Sequence, residues 1–181
     1  MKTPRAVALG LGVLALASTP ALGQSTLPGS GGVPHAQPSG LSPATASVMR
    51  TAASANLFEI ESSRLAVSRS QSAVIKEFAD RMIGDHTRAA NRARQVVAEI
   101  GATMPTAMLE SQHQKQLDTL KAVPNQEFDK AYVEAQYTAH VEAIALVRGY
   151  ARSGDNERLK ALATELLPML TSHLDHIAGL R

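Results

Sequence analysis

Arg81-Met82-Ile83-Gly84-Asp85-His86 sets a histidine into a row of apolar side chains. Around it, Ile75, Phe78, Ala79, Met82, Ala89, Ala90, Ala93, Val96, Val97 and Ile100 recur at helical spacing and turn one face toward a core. His86 follows Met82 by four residues and precedes Ala89 by three, so it falls inside that face. A buried imidazole needs a hydrogen bond or a metal, because an unpartnered polar group is costly to desolvate. Asp85 stands beside it at the edge of the apolar row.

Three further segments of similar length show the same amphipathic pattern. The first helix is expected over about residues 45–69, with Ser42 or Thr45 at its start. Val48, Ala52, Ala55, Ser62 and Ala66 share one line with Glu59, and Phe58 and Leu65 share a second with Glu61. Either carboxylate could therefore face inward. Ser68 to Ser72 breaks the pattern, and the helix that carries His86 runs to Ile100, with Gly101 as its stop. After a long connection, the third helix spans about residues 127–152 with Phe128, Tyr132, Val133, Gln136, His140, Ile144 and Val147 inward. Ser153-Gly154-Asp155-Asn156 is a tight turn. The fourth spans residues 157–180 with Leu159, Leu162, Leu166, Leu170, His173, Ile177 and Leu180 inward, and His176 at the edge. Pro168 lies within it and predicts a kink before His173.

Four long helices joined by short turns within each pair predict an all-α four-helix bundle over residues 45–181. The connection between the second and third holds a short extra helix, expected over about residues 106–121. Its length fits either a crossover or an up-and-down path. Glu110 and His113 in it make one Glu-x-x-His pair, a spacing that di-iron bundles use in two core helices. At about 1.5 Å per residue, Glu59, His86 and His140 come near mid-bundle. His173 stands farther from its turn than His140, by roughly 7 Å.

Histidines on three rods with inward carboxylates make a candidate site of Glu59, Asp85, His86, His140 and His173. Imidazole with carboxylate suits a transition metal: Zn, Fe, Mn, Cu or Ni. The competing reading is a hydrogen-bonded core network, since satisfied polar networks also specify a unique core. A di-metal redox centre needs paired bridging carboxylates, and only one Glu-x-x-His is present. No nucleophilic triad is legible, and the glycines of Gly29 to Gly32 follow no strand, so no phosphate loop is expected.

The chain's 181 residues suffice for one domain with a real core. There is no Cys, which excludes disulfides, thiolate metal sites and a lipidated N-terminal cysteine. Residues 1–23 read as a secretory signal peptide: a basic start at Lys2 and Arg5, an apolar run from Ala6 to Ala17, then small residues ending at Gly23. The run is too short to span a bilayer, and no later segment could. In a Gram-negative cell the product would be periplasmic. Cleavage removes two basic residues and leaves equal numbers of acidic and basic ones, so the pI of 9.1 does not signal a nucleic-acid binder. Residues 24–44, rich in Gly, Pro and Ser, read as a flexible tether with His35 as a solvated bystander.

Phe58-Glu59-Ile60 with Leu65-Ala66, Phe78-Ala79 followed by Met82-Ile83 and Asp85-His86, Phe128-Asp129 with Tyr132, His140, and Leu167-Pro168 followed by His173-Leu174 together resemble the bacterial domain of unknown function 4142. The resemblance covers about residues 46–180. It implies a secreted, ferritin-like four-helix bundle, and its pattern maps onto Glu59, Asp85, His86, His140 and His173, with His113 as a weaker member. That family is often labelled an outer membrane protein, yet this chain has neither a barrel's strand pattern nor a lipidation cysteine. The family carries no settled activity to transfer. The expectation is an exported bundle that binds or handles metal, tied to oxidative or envelope stress; the alternative is a non-enzymatic structural or interaction module with an envelope protein as partner.

Overall fold

A computed structural model describes residues 40–181. The expected signal peptide, residues 1–23, and all but the last residues of the expected tether, residues 24–44, lie outside them. The described residues form five helices: α1 (Pro43–Arg69), α2 (Ala73–Glu99), α3 (Ser111–Ala122), α4 (Asn125–Ser153) and α5 (Glu157–Leu180).

Local chemistry sets the helix ends. Ser42 caps α1 through the Thr45 amide, with Pro43 in the first turn where its missing N–H costs nothing. Ser72 caps α2 and Asn156 caps α5 in the same way. Gly101, at φ 70°, ends α2 with paired bonds from its own amide to the Ala98 carbonyl and from the Ala102 amide to that of Val97. Gly101→Ala should lower stability by about 1 kcal/mol, read as a shifted urea midpoint with unchanged slope, because an L side chain strains that conformation.

α1 pairs with α2 and α4 with α5, and the two hairpins meet through α1 against α4 and α2 against α5. Side-chain partners fix the directions. Thr45 reaches Tyr150 and Arg69 reaches Asn125, so α1 and α4 run antiparallel. Arg92 pairs with Glu165 and Arg158 with Glu99, so α2 and α5 do too. α2 therefore ends at the opposite end of the bundle from the start of α4, and the connection is a crossover. It must climb the length of α1, about 40 Å.

That distance explains a correction to the connector. Its helix begins at Ser111, not near residue 106, and residues 102–110 are non-helical. An extended residue covers about twice the distance of a helical one, so a longer helix would leave the crossing short. Ser54 holds the lower part, accepting from the Glu110 amide at 2.7 Å and meeting His113 Nδ1 at 2.7 Å. Arg69 holds the upper part: its guanidinium donates to the carbonyls of Leu120, Lys121 and Val123 and lies 4.3 Å over the Phe128 ring.

The interior is layered. Phe78, Met82, Phe128, Tyr132, Val133 and Ile177 form an apolar cluster toward one end. Met49, Val96, Val97, Leu159 and Leu162 form another toward the other. The buried polar side chains Glu59, Ser62, Ser63, His86, Gln136, His140 and His173 lie on the segments between them. α5 continues as one helix through Pro168. No described helix is long and apolar enough to cross a membrane.

Candidate metal centre

Three histidines converge in the polar layer. His86 from α2, His140 from α4 and His173 from α5 are all buried, with ring centroids 5.5–5.6 Å apart. One ring nitrogen from each lies within 4.8 Å of the others.

His173 reaches the group despite its greater distance from the turn. α4 ends at Ser153 and α5 begins at Glu157, which takes the turn out of the helical count. Side chains also lean toward a helix's N-terminus. His140 on α4 thus leans away from the α4–α5 turn and His173 on α5 leans toward it, so the rings close the gap between their backbones.

The second nitrogen of each ring has an acceptor. His140 Nδ1 lies 2.9 Å from the Gln136 carbonyl, and His173 Nε2 lies 2.9 Å from Asp85 Oδ2. His86 Nδ1 lies 3.0 Å from Asn56 Oδ1. A carbonyl or carboxylate oxygen can only accept, so these nitrogens carry the N–H in the neutral rings. The remaining lone pairs belong to His86 Nε2, His140 Nε2 and His173 Nδ1. His86 Nε2 is buried without a partner. His140 Nε2 and His173 Nδ1 face one another at 3.4 Å, a lone pair against a lone pair.

Burial keeps the lone pairs available. His86 is held well below the usual histidine pKa by desolvation and then by the other two rings. His140 is lowered to about 4, first by burial, with its bond to Gln136 working the other way and the His173 ring adding to the lowering.

The carboxylates stand behind this group. Asp85 accepts from His173 and also pairs with Arg88, which orients it from the solvent side. Glu59 is the inward carboxylate of α1, almost fully buried, whereas Glu61 lies half-exposed and pairs with Arg64. Glu59 Oε1 lies 3.3 Å from His140 Nδ1, but that N–H is directed to the Gln136 carbonyl, and neither Glu59 oxygen has a hydrogen-bond partner. Desolvation pushes its carboxyl well above the usual range, opposed by Gln136. Neither acid belongs to the three-nitrogen group, and no bridging carboxylate joins it among the described residues.

The other histidines serve elsewhere. His113 is buried against Phe58 and bonded to Ser54, so Glu110 and His113 fasten the crossover to α1. His176 stacks on Phe78 with centroids 4.9 Å apart. His35 lies outside the described residues. Sequence reasoning missed Asn56, which orients His86. It stands three residues before Glu59 on α1, a helical neighbour in a row otherwise of small and apolar residues, and that was the available signal. Gln136 shows in the sequence as an inward residue without a role. Its backbone carbonyl orients His140, and its amide donates to Ser62 at 2.8 Å.

No curated protein matches the chain, and no solved structure does. A family model does, the Domain of unknown function (DUF4142), over residues 31–180. That span takes in all five helices and every residue of the histidine group, and the chain belongs to this family.

Proposed function

We propose that the protein is an exported metal-binding bundle in which His86, His140 and His173 hold one transition-metal ion. The observation that carries this reading is the meeting of three lone-pair nitrogens whose rings are each fixed by an N–H bond to Asn56, Gln136 or Asp85. Metal-bound histidines are typically oriented in this way, by a carbonyl or carboxylate on the other nitrogen. The 3.4 Å between His140 Nε2 and His173 Nδ1 fits two ligands of one ion, since tetrahedral bonds of about 2.0–2.1 Å put neighbouring nitrogens about 3.3 Å apart. An imidazole set favours Zn, Cu, Fe or Ni over Mn, and leaves a fourth position for water or a further ligand. Asp85 then acts through His173 and Glu59 from behind His140. A purely structural network fits less well, because it leaves His86 Nε2 buried without a partner and sets the lone pairs of His140 Nε2 and His173 Nδ1 against one another. Export rests on the signal pattern of residues 1–23.

Elemental analysis of protein purified without a histidine tag tests the reading. One ion per chain is expected after supplementation with Zn, Cu, Ni, Fe or Mn, with a melting temperature that falls in chelator. The absence of stoichiometric metal under every supplementation, with melting unchanged by chelator, would remove the proposal. N-terminal sequencing of the periplasmic product should begin at Gln24, or at Leu22 if cleavage follows Ala21.

A further inference from the structure

A second feature lies beside the histidine group. Between α1, α2, α4, α5 and residues 104–107 of the crossover is a cavity of about 410 Å³, within the range of small-molecule sites. Its walls are apolar, and along α1 the lining residues run from Val48 to Ile60, about 18 Å. The space is elongated for its volume. Alanines at positions 52, 53, 89, 93 and 163 keep it open where larger side chains would close it, although unfilled apolar volume lowers stability in proportion to its size.

Its polar lining groups are unequally committed. The Tyr150 hydroxyl is already bonded to Thr45 and Asp155. Arg94 is exposed, bonds only to Asn91, and has no carboxylate partner among the described residues. Asn56 also lines the space, with its amide oxygen taken by His86.

We propose that this cavity binds a single-chain amphiphile with an anionic head: the chain lies along α1 inside the bundle, and the head meets Arg94. The long lining along α1 suits an extended chain, and the uncommitted charge of Arg94 selects a carboxylate over a neutral head. Nothing in this requires the metal, so the two readings stand or fall separately.

Titration of the purified protein with dansyl-aminoundecanoate tests it, in EDTA and again in the His140→Leu variant. Expected is saturable binding of one probe per chain in both, displaced by decanoate and about tenfold more weakly by decanol, the loss of a charge-assisted hydrogen bond. Arg94→Glu should weaken decanoate by at least about tenfold and leave decanol unchanged. Ala93→Phe and Ala52→Phe should each abolish binding with helical content and cooperative melting intact. No saturable binding to the native protein overturns the proposal, as does binding that survives both phenylalanine variants. Equal displacement by decanol and decanoate overturns the anionic head. Arg94→Glu is a surface change, so that arm remains decisive even where a phenylalanine variant fails to fold.

Discussion

His140→Leu is expected to abolish metal binding while making the metal-free protein more stable in mild acid. The two effects have one origin. The ring sits in a fully buried position with its pKa lowered to about 4, against 6.5 in an exposed histidine. In the unfolded chain the ring takes up a proton as pH falls below 6.5; in the folded chain it does so only near 4. The stability tied to its neutral form is complete above pH 6.5 and is lost as pH falls toward 4, about 2 kcal/mol of it by pH 5. Leucine carries no such liability and fills most of the same volume. Urea melts of the metal-free proteins at pH 5 and pH 7.5 should show the variant gaining on the wild type at the lower pH. His86 behaves in the same direction, since burial and the two neighbouring rings depress it as well.

The metal side of this result should be larger. Loss of a group that merely orients a ligand weakens metal sites by about 10–100-fold, and loss of the ligand should exceed that. Asp85→Ala, which removes the acceptor for His173 Nε2, belongs to the smaller class. Titration with a competing chelator ranks the three proteins. If His140→Leu binds metal like wild type and melts earlier at both pH values, the histidines are a structural network and the metal reading is lost.

Glu59→Gln should stabilise the metal-free protein above neutral pH, by about 1–3 kcal/mol, the scale of one uncompensated buried polar group. Glu59 is fully buried, with neither oxygen bonded, and its carboxyl is pushed well above the ordinary value of 4.5. The folded chain thus holds this proton after the unfolded chain has released it. The stability contribution is complete below pH 4.5 and falls as pH rises through the raised folded value. Glutamine has the same shape and never ionises. The difference between variant and wild type should vanish near pH 4.5 and grow toward pH 8, seen as a melting temperature higher by several degrees. With metal bound the sign should reverse: an ionised Glu59 behind His140 favours the cation, and its loss should weaken affinity by about 10–100-fold. A variant less stable than wild type at pH 8 without metal would show Glu59 to be ionised and compensated in the fold.

Much of the molecule was legible because periodicity reports burial. Phe78, Met82, Val96 and Val97 on α2, and Phe128, Tyr132 and Ile144 on α4, recur at helical spacing and are buried. His86, His140 and His173 stood out because each interrupts such a row, and the structure brings them together. α1 was less readable. Its Ser and Ala residues carry little contrast between faces, so the pattern neither separates Glu59 from Glu61 nor singles out Asn56. Residues 106–110 carry helical spacing yet are not helical, because the span of the crossover decides their conformation and no local pattern encodes it.

The sequence by itself determined the helices, their caps and the rows of side chains they bury, since each depends on residues a few positions apart. Only the tertiary structure decided the crossover, the inward choice of Glu59 and the tautomers of the three rings. Those depend on which residues from other helices come into reach, Glu59 at His140, Asp85 at His173 and Asn56 at His86; only the Gln136 carbonyl that holds His140 Nδ1 is local, one turn back on α4. A lone pair acquires its direction from the acceptor that holds the opposite nitrogen, and for His86 and His173 that acceptor comes from another helix.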